Sequence, residues 1–336
     1  MKSQAFHGEV WINAHEEILE AVVRANLEPI DGGYGNDSHS RAATELIQKE
    51  FDDTVYTTFA INGTAANVMA LKAMLDRWSA IICAEQTHIH TYEAGAFEYN
   101  LGNKILTAPT ADGKLTPAIV KELLLTTKKY KYQPKVIALA QPTEFGTVYT
   151  PAELSALCEL AHSLGMYVYV DGARIGNAAA ALGCSLREML NDTGVDAFSF
   201  GGTKAGALFG EMIVFRRAEF ARALSYSQKQ SLQHMSKSKF LSVQMEVILR
   251  EAIWIRDGER SNAMAALLAE KIAKKGYALR YEVQTNMVFC IIPPEKLAEL
   301  EEVYDMHYWH ELEHSVRLAT THMTTEAEID ALVAML

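Results

Sequence analysis

Short apolar runs punctuate the first two thirds of the chain and alternate with longer stretches in which apolar positions return every three or four residues. The runs are Val55 to Phe59, Ala80 to Ala84, Lys104 to Leu106, Lys135 to Ala140, Met166 to Val170, Ala197 to Phe200 and Met212 to Phe215. Most lack a polar face, as expected of strands covered on both sides. Helical spacing predicts helices over Glu16 to Leu27, Arg41 to Phe51, Thr64 to Arg77, Pro117 to Lys128 and Pro151 to Leu164. Thr150-Pro-Ala-Glu153 supplies an N-cap, a first-turn proline and a capping-box glutamate, and Thr116-Pro117 repeats the first two. This alternation predicts an α/β fold, a mainly parallel seven-stranded sheet sandwiched by helices. A long helix over Phe240 to Ile255 should link it to a smaller α+β domain built from Asn262 to Leu336, whose last helix opens with the capping box Thr325-Glu-Ala-Glu328.

With 336 residues, 49% of them hydrophobic, the chain can bury a large core, and its length suggests two domains. A formal net charge of −11, with no Lys/Arg-rich stripe, argues against nucleic acid and anionic membrane surfaces as partners. Cys83 and Cys290 sit in apolar runs, Cys158 in a helical pattern and Cys184 near a turn, without paired spacing. They read as buried free thiols of a protein in a reducing cytosol. The opening Met1-Lys-Ser-Gln-Ala-Phe6 lacks a signal peptide's apolar stretch, and no segment approaches the roughly eighteen apolar residues of a membrane helix. A cytoplasmic location is expected.

Two of the strand-like runs end in chemistry. Met166 to Val170 delivers Asp171-Gly-Ala-Arg174, and Ala197 to Phe200 delivers Gly201-Gly-Thr-Lys204. Side chains at the carboxyl ends of parallel strands face one ligand crevice, so Asp171 and Lys204 should meet there. Alone, either reads as an ordinary helix cap or a solvated loop lysine. Together they suit pyridoxal phosphate, which needs an amine to form a Schiff base with its aldehyde and a carboxylate to keep its ring nitrogen protonated. Asn62-Gly63-Thr64, between a strand and a helix, offers unpaired amides and the helix dipole to an anion such as the cofactor phosphate.

Asp171-Gly-Ala-Arg174, Gly201-Gly-Thr-Lys204, Asn62-Gly-Thr-Ala-Ala-Asn67, Ala84-Glu-Gln-Thr-His88 and Tyr34-Gly-Asn-Asp37 resemble the motifs of the threonine aldolases, within the aspartate-aminotransferase-like, fold type I pyridoxal phosphate enzymes. The likeness runs along nearly the whole chain to Trp309-His-Glu-Leu-Glu-His-Ser-Val-Arg317. It implies an N-terminal segment over 1–30 packing with the small domain, a large cofactor-binding domain over 31–240, and a linking helix with the small domain over 241–336. It implies retro-aldol cleavage of L-threonine, L-allo-threonine or related β-hydroxy-α-amino acids, by a homodimer or homotetramer. By the same resemblance His88, rather than His90, stacks on the cofactor ring. Asn62, Gly63, Thr64, Asp171, Arg174, Thr203 and Lys204 hold the cofactor, and Lys237 or Lys239 faces its phosphate. Arg174 and Arg317 grip the substrate carboxylate, as guanidinium forks can.

The chain departs from that family twice. Around Phe6-His-Gly-Glu9, glycine and glutamate replace a Ser-Asp pair whose serine reaches the substrate in many members. In Gln141-Pro-Thr-Glu144, a glutamate stands where some members have a histidine near the substrate hydroxyl, with Thr143 the alternative in register. Either carboxylate or imidazole can accept the hydroxyl proton. Within the cofactor class, a β-eliminating lyase or aminotransferase is the alternative activity. Outside it, His310-Glu-Leu-Glu-His314 matches the zinc-protease pattern, and on a helix both imidazoles would share a face with His307. A nucleotide-binding domain using the Gly63 loop is disfavoured, because neither glycine-rich nucleotide motif is present.

Overall fold

The computed structural model describes residues 2–29, 31–51, 53–127 and 131–336. The apolar runs form β1 (Tyr56–Ala60), β2 (Ser79–Ala84), β3 (Lys104–Ala108), β4 (Gln133–Ala140), β5 (Tyr167–Asp171), β6 (Ala197–Gly201) and β7 (Glu211–Phe215). They pair in the order β1-β7-β6-β5-β4-β2-β3. β3, β2, β4, β5 and β6 are mutually parallel, whereas β7 is antiparallel to both β6 and β1. The stretch 202–210 explains the exception, since a parallel return needs a crossover of about a dozen residues or more.

Along β5, Val168 and Val170 enter one core while Tyr169, between them, enters the other. Period-two alternation thus places apolar side chains on both faces of the sheet. The expected caps hold the flanking helices: Thr150 and Glu153 form a capping box, Thr116 caps Pro117–Leu125, and the Asn62 side chain accepts the Ala65 amide. Of the helix expected over Pro117 to Lys128, Lys128 lies outside the described residues, as do Met1 and Ile30 of the N-terminal segment.

Where one linking helix was expected there are two, Lys239–Arg250 and Ile253–Lys274, broken at Ala252 with φ 51°. A left-handed alanine costs about 1–2 kcal/mol, and tertiary packing sustains it. The second helix lies against Ile175–Leu182 so closely that a Cβ on Gly176 would stand 2.0 Å from the Trp254 carbonyl oxygen, and one on Gly258 2.5 Å from that of Gly176. That helix and the capped helix Glu326–Met335 cover β8 (Met287–Ile291), β9 (Tyr308–His310) and β10 (Ser315–Ala319). These strands form an antiparallel sheet, β8-β10-β9. Bridges Ser3–Tyr304 and His7–Ala319 lay the N-terminal residues along it. Among the described residues no helix is long and apolar enough to cross a membrane.

Candidate active site

A cavity of about 190 Å³ opens at the carboxyl ends of β4, β5 and β6, and Asp171, Arg174, Thr203, Lys204, His88 and Glu144 line it. The backbone there is drawn tight. A Cβ on Gly172 would meet the Ser199 carbonyl oxygen at 2.1 Å and one on Gly201 that of Ala173 at 2.4 Å, so only glycine lets the Asp171 and Lys204 loops lie together.

Asp171 is held from two sides: Oδ1 accepts the Ala173 amide at 3.0 Å and Oδ2 accepts Nδ2 of Asn67 at 2.9 Å. The Asn67 amide is fixed in turn, its Oδ1 accepting from the Tyr169 hydroxyl at 2.8 Å while Nδ2 also donates to Glu93 Oε1 at 2.7 Å. The same Glu93 Oε1 is hydrogen-bonded to His88 Nδ1 at 2.9 Å. Burial raises the Glu93 carboxyl above its ordinary range despite these donors. Burial opposes charge on His88, but the Glu93 hydrogen bond and the fields of Glu144 and Asp171 outweigh it and raise its pKa. Both shifts favour bound protons. His90, by contrast, is exposed and turns Nδ1 to the Glu85 carbonyl.

Lys204 stands in the turn Thr203–Ala205 after β6. Among the described residues it makes no hydrogen bond or ion pair, and burial, then the charge of Arg174, lowers its pKa. A free amine is thereby favoured over ammonium. Glu211, buried on β7, shares the cavity and accepts the Gly202 amide at 3.1 Å; burial raises its pKa.

The two arginines differ. Arg174 is already occupied, donating Nε and Nη2 to Glu9 at 2.7 and 3.0 Å, while Asn286 donates to the same carboxylate at 2.6 Å. Burial would push Glu9 up, yet the Arg174 charge and hydrogen bonds hold its pKa down at about 2. Arg317 does not line the Lys204 cavity; it borders a second, smaller one and lies 4.4 Å over the Trp309 ring. No carboxylate among the described residues is within ion-pair distance of it. Its pKa is lowered by burial, then by the nearby Arg174 charge.

The cofactor expected from the sequence fits these residues. A Cβ at Gly63 would meet nothing within 4 Å, so the space over that turn is open, and among the described residues the Gly63 and Thr64 amides donate to no protein acceptor. Anion cradle, half-buried carboxylate and, among the described residues, a lysine without a hydrogen-bond partner therefore surround one cavity. Glu144 faces it, whereas the Thr143 hydroxyl is tied to Thr147 at 2.7 Å. Lys237 is exposed and does not line this cavity, and Lys239 donates to the Ala25 carbonyl at 2.7 Å.

The zinc-protease reading fails on local structure. His310 ends β9, Glu311–Glu313 is a single 3-10 turn, and His314 is left-handed with φ 51°, so the required α-helix is not formed. Among the described residues His15, Asp257 and His322 are the group close enough to share an ion. There the imidazoles stack at 4.2 Å with planes 22° apart. An ion in the plane of one ring would lie well out of the other's, and the cluster is a clasp in which His15 Nε2 and Asp257 Oδ2 approach to 2.6 Å.

Sequence reasoning did not assign Glu9, Asn67, Glu93, Tyr169 or Glu211. Asn67 stands inside the Asn62-Gly-Thr-Ala-Ala-Asn67 motif, Glu93 lies five residues beyond His88, and Glu9 marks a departure.

Comparisons agree with this geometry. The family model for beta-eliminating lyases matches residues 13–293. A low specificity L-threonine aldolase of Pseudomonas aeruginosa is 38% identical over 290 residues, covering 85% of this chain and 84% of that protein. One of Escherichia coli is 29% identical, covering 85% and 83%. A solved threonine aldolase of Leishmania major superposes with a TM-score of 0.93 at 30% identity, covering 99% of this chain and 98% of that one. An aspartate aminotransferase of Thermus thermophilus shares the fold, with a TM-score of 0.74 at 16% identity.

Proposed function

The chain belongs to the beta-eliminating lyase family and, within it, to the threonine aldolases, and from that premise we propose that it cleaves L-threonine, L-allo-threonine and related β-hydroxy-α-amino acids to glycine and an aldehyde. The observation that carries the reading is the convergence of Lys204, Asp171 and the open Gly63 turn on one cavity that also presents Glu144. Bound pyridoxal phosphate supplies an electron sink, which lets a Cα–Cβ bond break without a free carbanion.

The protein's part is to hold and to move protons. The Gly63 and Thr64 amides take the phosphate, Lys204 offers its amine to the cofactor aldehyde, and Asp171, locked by Asn67 and Ala173, keeps the ring nitrogen protonated. Arg317 grips the substrate carboxylate, since Arg174 is already matched by Glu9. Glu144 accepts the β-hydroxyl proton, and it or solvent returns one as glycine forms.

The reading extends to a cytoplasmic homo-oligomer, dimeric or tetrameric. All four cysteines are free thiols. Tyr34, stacked on His234, together with Ile61 and Leu232, leaves apolar surface exposed beside the phosphate cradle that a second copy would cover. Sedimentation of the purified protein tests this. For the reaction, a panel of amino acids scored for glycine and aldehyde release is decisive. Pyruvate and ammonia from serine, with no aldehyde from threonine, would replace cleavage by elimination.

A further inference from the structure

We propose that Glu93 is a positioning residue that keeps His88 protonated at Nε2, so that His88 enters the cavity as a hydrogen-bond donor and leaves the role of base for the β-hydroxyl to Glu144. The inference rests on the aldolase reading for its last clause only. Its first part concerns the state of one imidazole, whatever the substrate.

The argument begins with a buried charge. The Glu93 side chain is fully covered, and Oε1 makes both of its hydrogen bonds, with His88 Nδ1 at 2.9 Å and from Asn67 Nδ2 at 2.7 Å. Oε2 is buried without a partner. An ionised carboxylate so placed needs a cation, and the only ion pair it makes among the described residues is with His88. A neutral imidazole donating Nδ1–H would leave Nε2 bare but would also leave that buried carboxylate ionised with no cation beside it, so the pair is assigned one retained labile proton. Two arrangements satisfy that count: an imidazolium beside a carboxylate, or a neutral imidazole accepting at Nδ1 from a carboxylic acid. In the first both ring nitrogens carry protons; in the second the tautomer must carry its proton at Nε2. Either way Nε2–H points away from Glu93 and cannot accept the substrate's proton.

Three further groups act on this pair. Glu144 and Asp171 both add negative field at His88, and the Tyr92 ring lies 5.7 Å from the imidazole centroid. The carboxylates reinforce the retained proton, and burial alone opposes it. Asn67 completes the device. Its Nδ2 donates to Glu93 and to Asp171 while its Oδ1 is claimed by Tyr169, so it cannot flip without facing two carboxylates with its oxygen. The two groups that flank the cofactor ring in the aldolase reading, His88 and Asp171, are thus set by one amide.

The test is nitrogen NMR of histidine-labelled, cofactor-loaded protein without substrate, with His88 assigned by loss of its signal in His88→Gln. At pH 7.5 wild-type Nε2 should resonate as a protonated nitrogen. In Glu93→Gln, the amide oxygen still accepts Nδ1–H but no charge holds the ring proton, so the His88 titration midpoint should fall by about one to two pH units. Nε2 then becomes bare at pH 7.5. A bare Nε2 in the wild type, or an unchanged midpoint in Glu93→Gln, overturns the proposal. Should Glu93→Gln fail to fold, the wild-type spectrum decides alone, and Glu93→Asp should keep the protonated signal. Kinetics test the second clause: the acidic limb of the kcat/KM profile should disappear in Glu144→Gln and persist in Glu93→Gln. Loss of that limb in Glu93→Gln alone would give the base to His88. A failure of the aldolase reading would show separately, as absent aldehyde release from an enzyme whose His88 signal is as expected.

Discussion

Replacing Glu9 by glutamine should destabilise the protein by about 3 kcal/mol at neutral pH, and the loss should vanish in acid. The Glu9 carboxyl is buried, receives two hydrogen bonds from Arg174 and one from Asn286, and titrates at about 2 instead of its ordinary 4.5. At about 1.4 kcal/mol per unit, this difference corresponds to roughly 3 kcal/mol of stabilisation. Removing one partner of a buried ion pair independently predicts about 3–5 kcal/mol, because Arg174 is left charged and uncompensated. The sign follows from the depressed value. Stability is fully present above the unfolded pKa of 4.5 and is lost as pH falls toward the folded value near 2. Glutamine mimics the protonated acid, so the wild-type and variant curves should converge over that window. Denaturant unfolding of both proteins, at intervals from pH 7 down to pH 3, measures the gap directly, and other acid-sensitive groups cancel in the difference. A gap that stays constant between pH 5 and pH 3 would refute the reasoning. Adding Arg174→Met to Glu9→Gln should recover part of the loss, since no buried charge then lacks a partner.

Lys204→Ala should abolish turnover, and borohydride treatment of the wild type should fix the cofactor to Lys204; peptide mapping that finds the label on another lysine contradicts the site. Asp171→Asn should keep the fold, by circular dichroism, and lose most activity, because a neutral amide cannot stabilise a protonated ring nitrogen as a carboxylate does. In Glu144→Gln, threonine cleavage should slow by about 10²-fold or more, the range for loss of a general base, while exchange of the glycine α-proton changes little. Equal losses in the two reactions would make Glu144 a support for its loop.

Continuous apolar runs such as Ala80 to Ala84 announced buried strands because both faces of the sheet are covered, and local capping chemistry announced the starts at Thr116, Thr150 and Thr325. Asp171 and Lys204 were readable for the same reason, each being the residue that a recognisable strand carries to the crevice. The break at Ala252 was not readable. Helical periodicity continues through it, and the packing that accompanies it, Gly258 and Trp254 against Gly176, joins segments far apart in sequence. Charge partners failed similarly. Nothing around Arg174 marks it as bound to Glu9, 165 positions earlier, and nothing around Arg317 marks it as seated on Trp309 with no carboxylate partner among the described residues. His310 and His314 misled because a five-residue pattern fixes spacing and not conformation: a left-handed residue at His314 and a strand ending at His310 remove the shared face.

Pairing of the buried charges decides how the site can receive an amino acid. Arg174 and Glu9 neutralise each other through two hydrogen bonds, and His88 and Glu93 retain a proton between them. Asp171 is held by the Ala173 and Asn67 amides and, in the proposed reaction, serves the ring nitrogen, and burial favours the uncharged amine on Lys204. Arg317 remains, a cation seated on Trp309 and lacking a carboxylate partner among the described residues. A desolvated guanidinium in that position is stabilised by an arriving carboxylate far more than Arg174 would be, whose fork is filled. The glutamate at position 9 therefore does more than replace one acidic side chain with another. By occupying Arg174 from the N-terminal segment while Asn286 binds the same carboxylate from just before β8, it leaves Arg317 on β10 as the arginine that, in the proposed reaction, takes the substrate carboxylate. The orientation of the amino acid over the cofactor then depends on how β8, β10 and the N-terminal residues are seated against the seven-stranded sheet, and on no loop of that sheet alone.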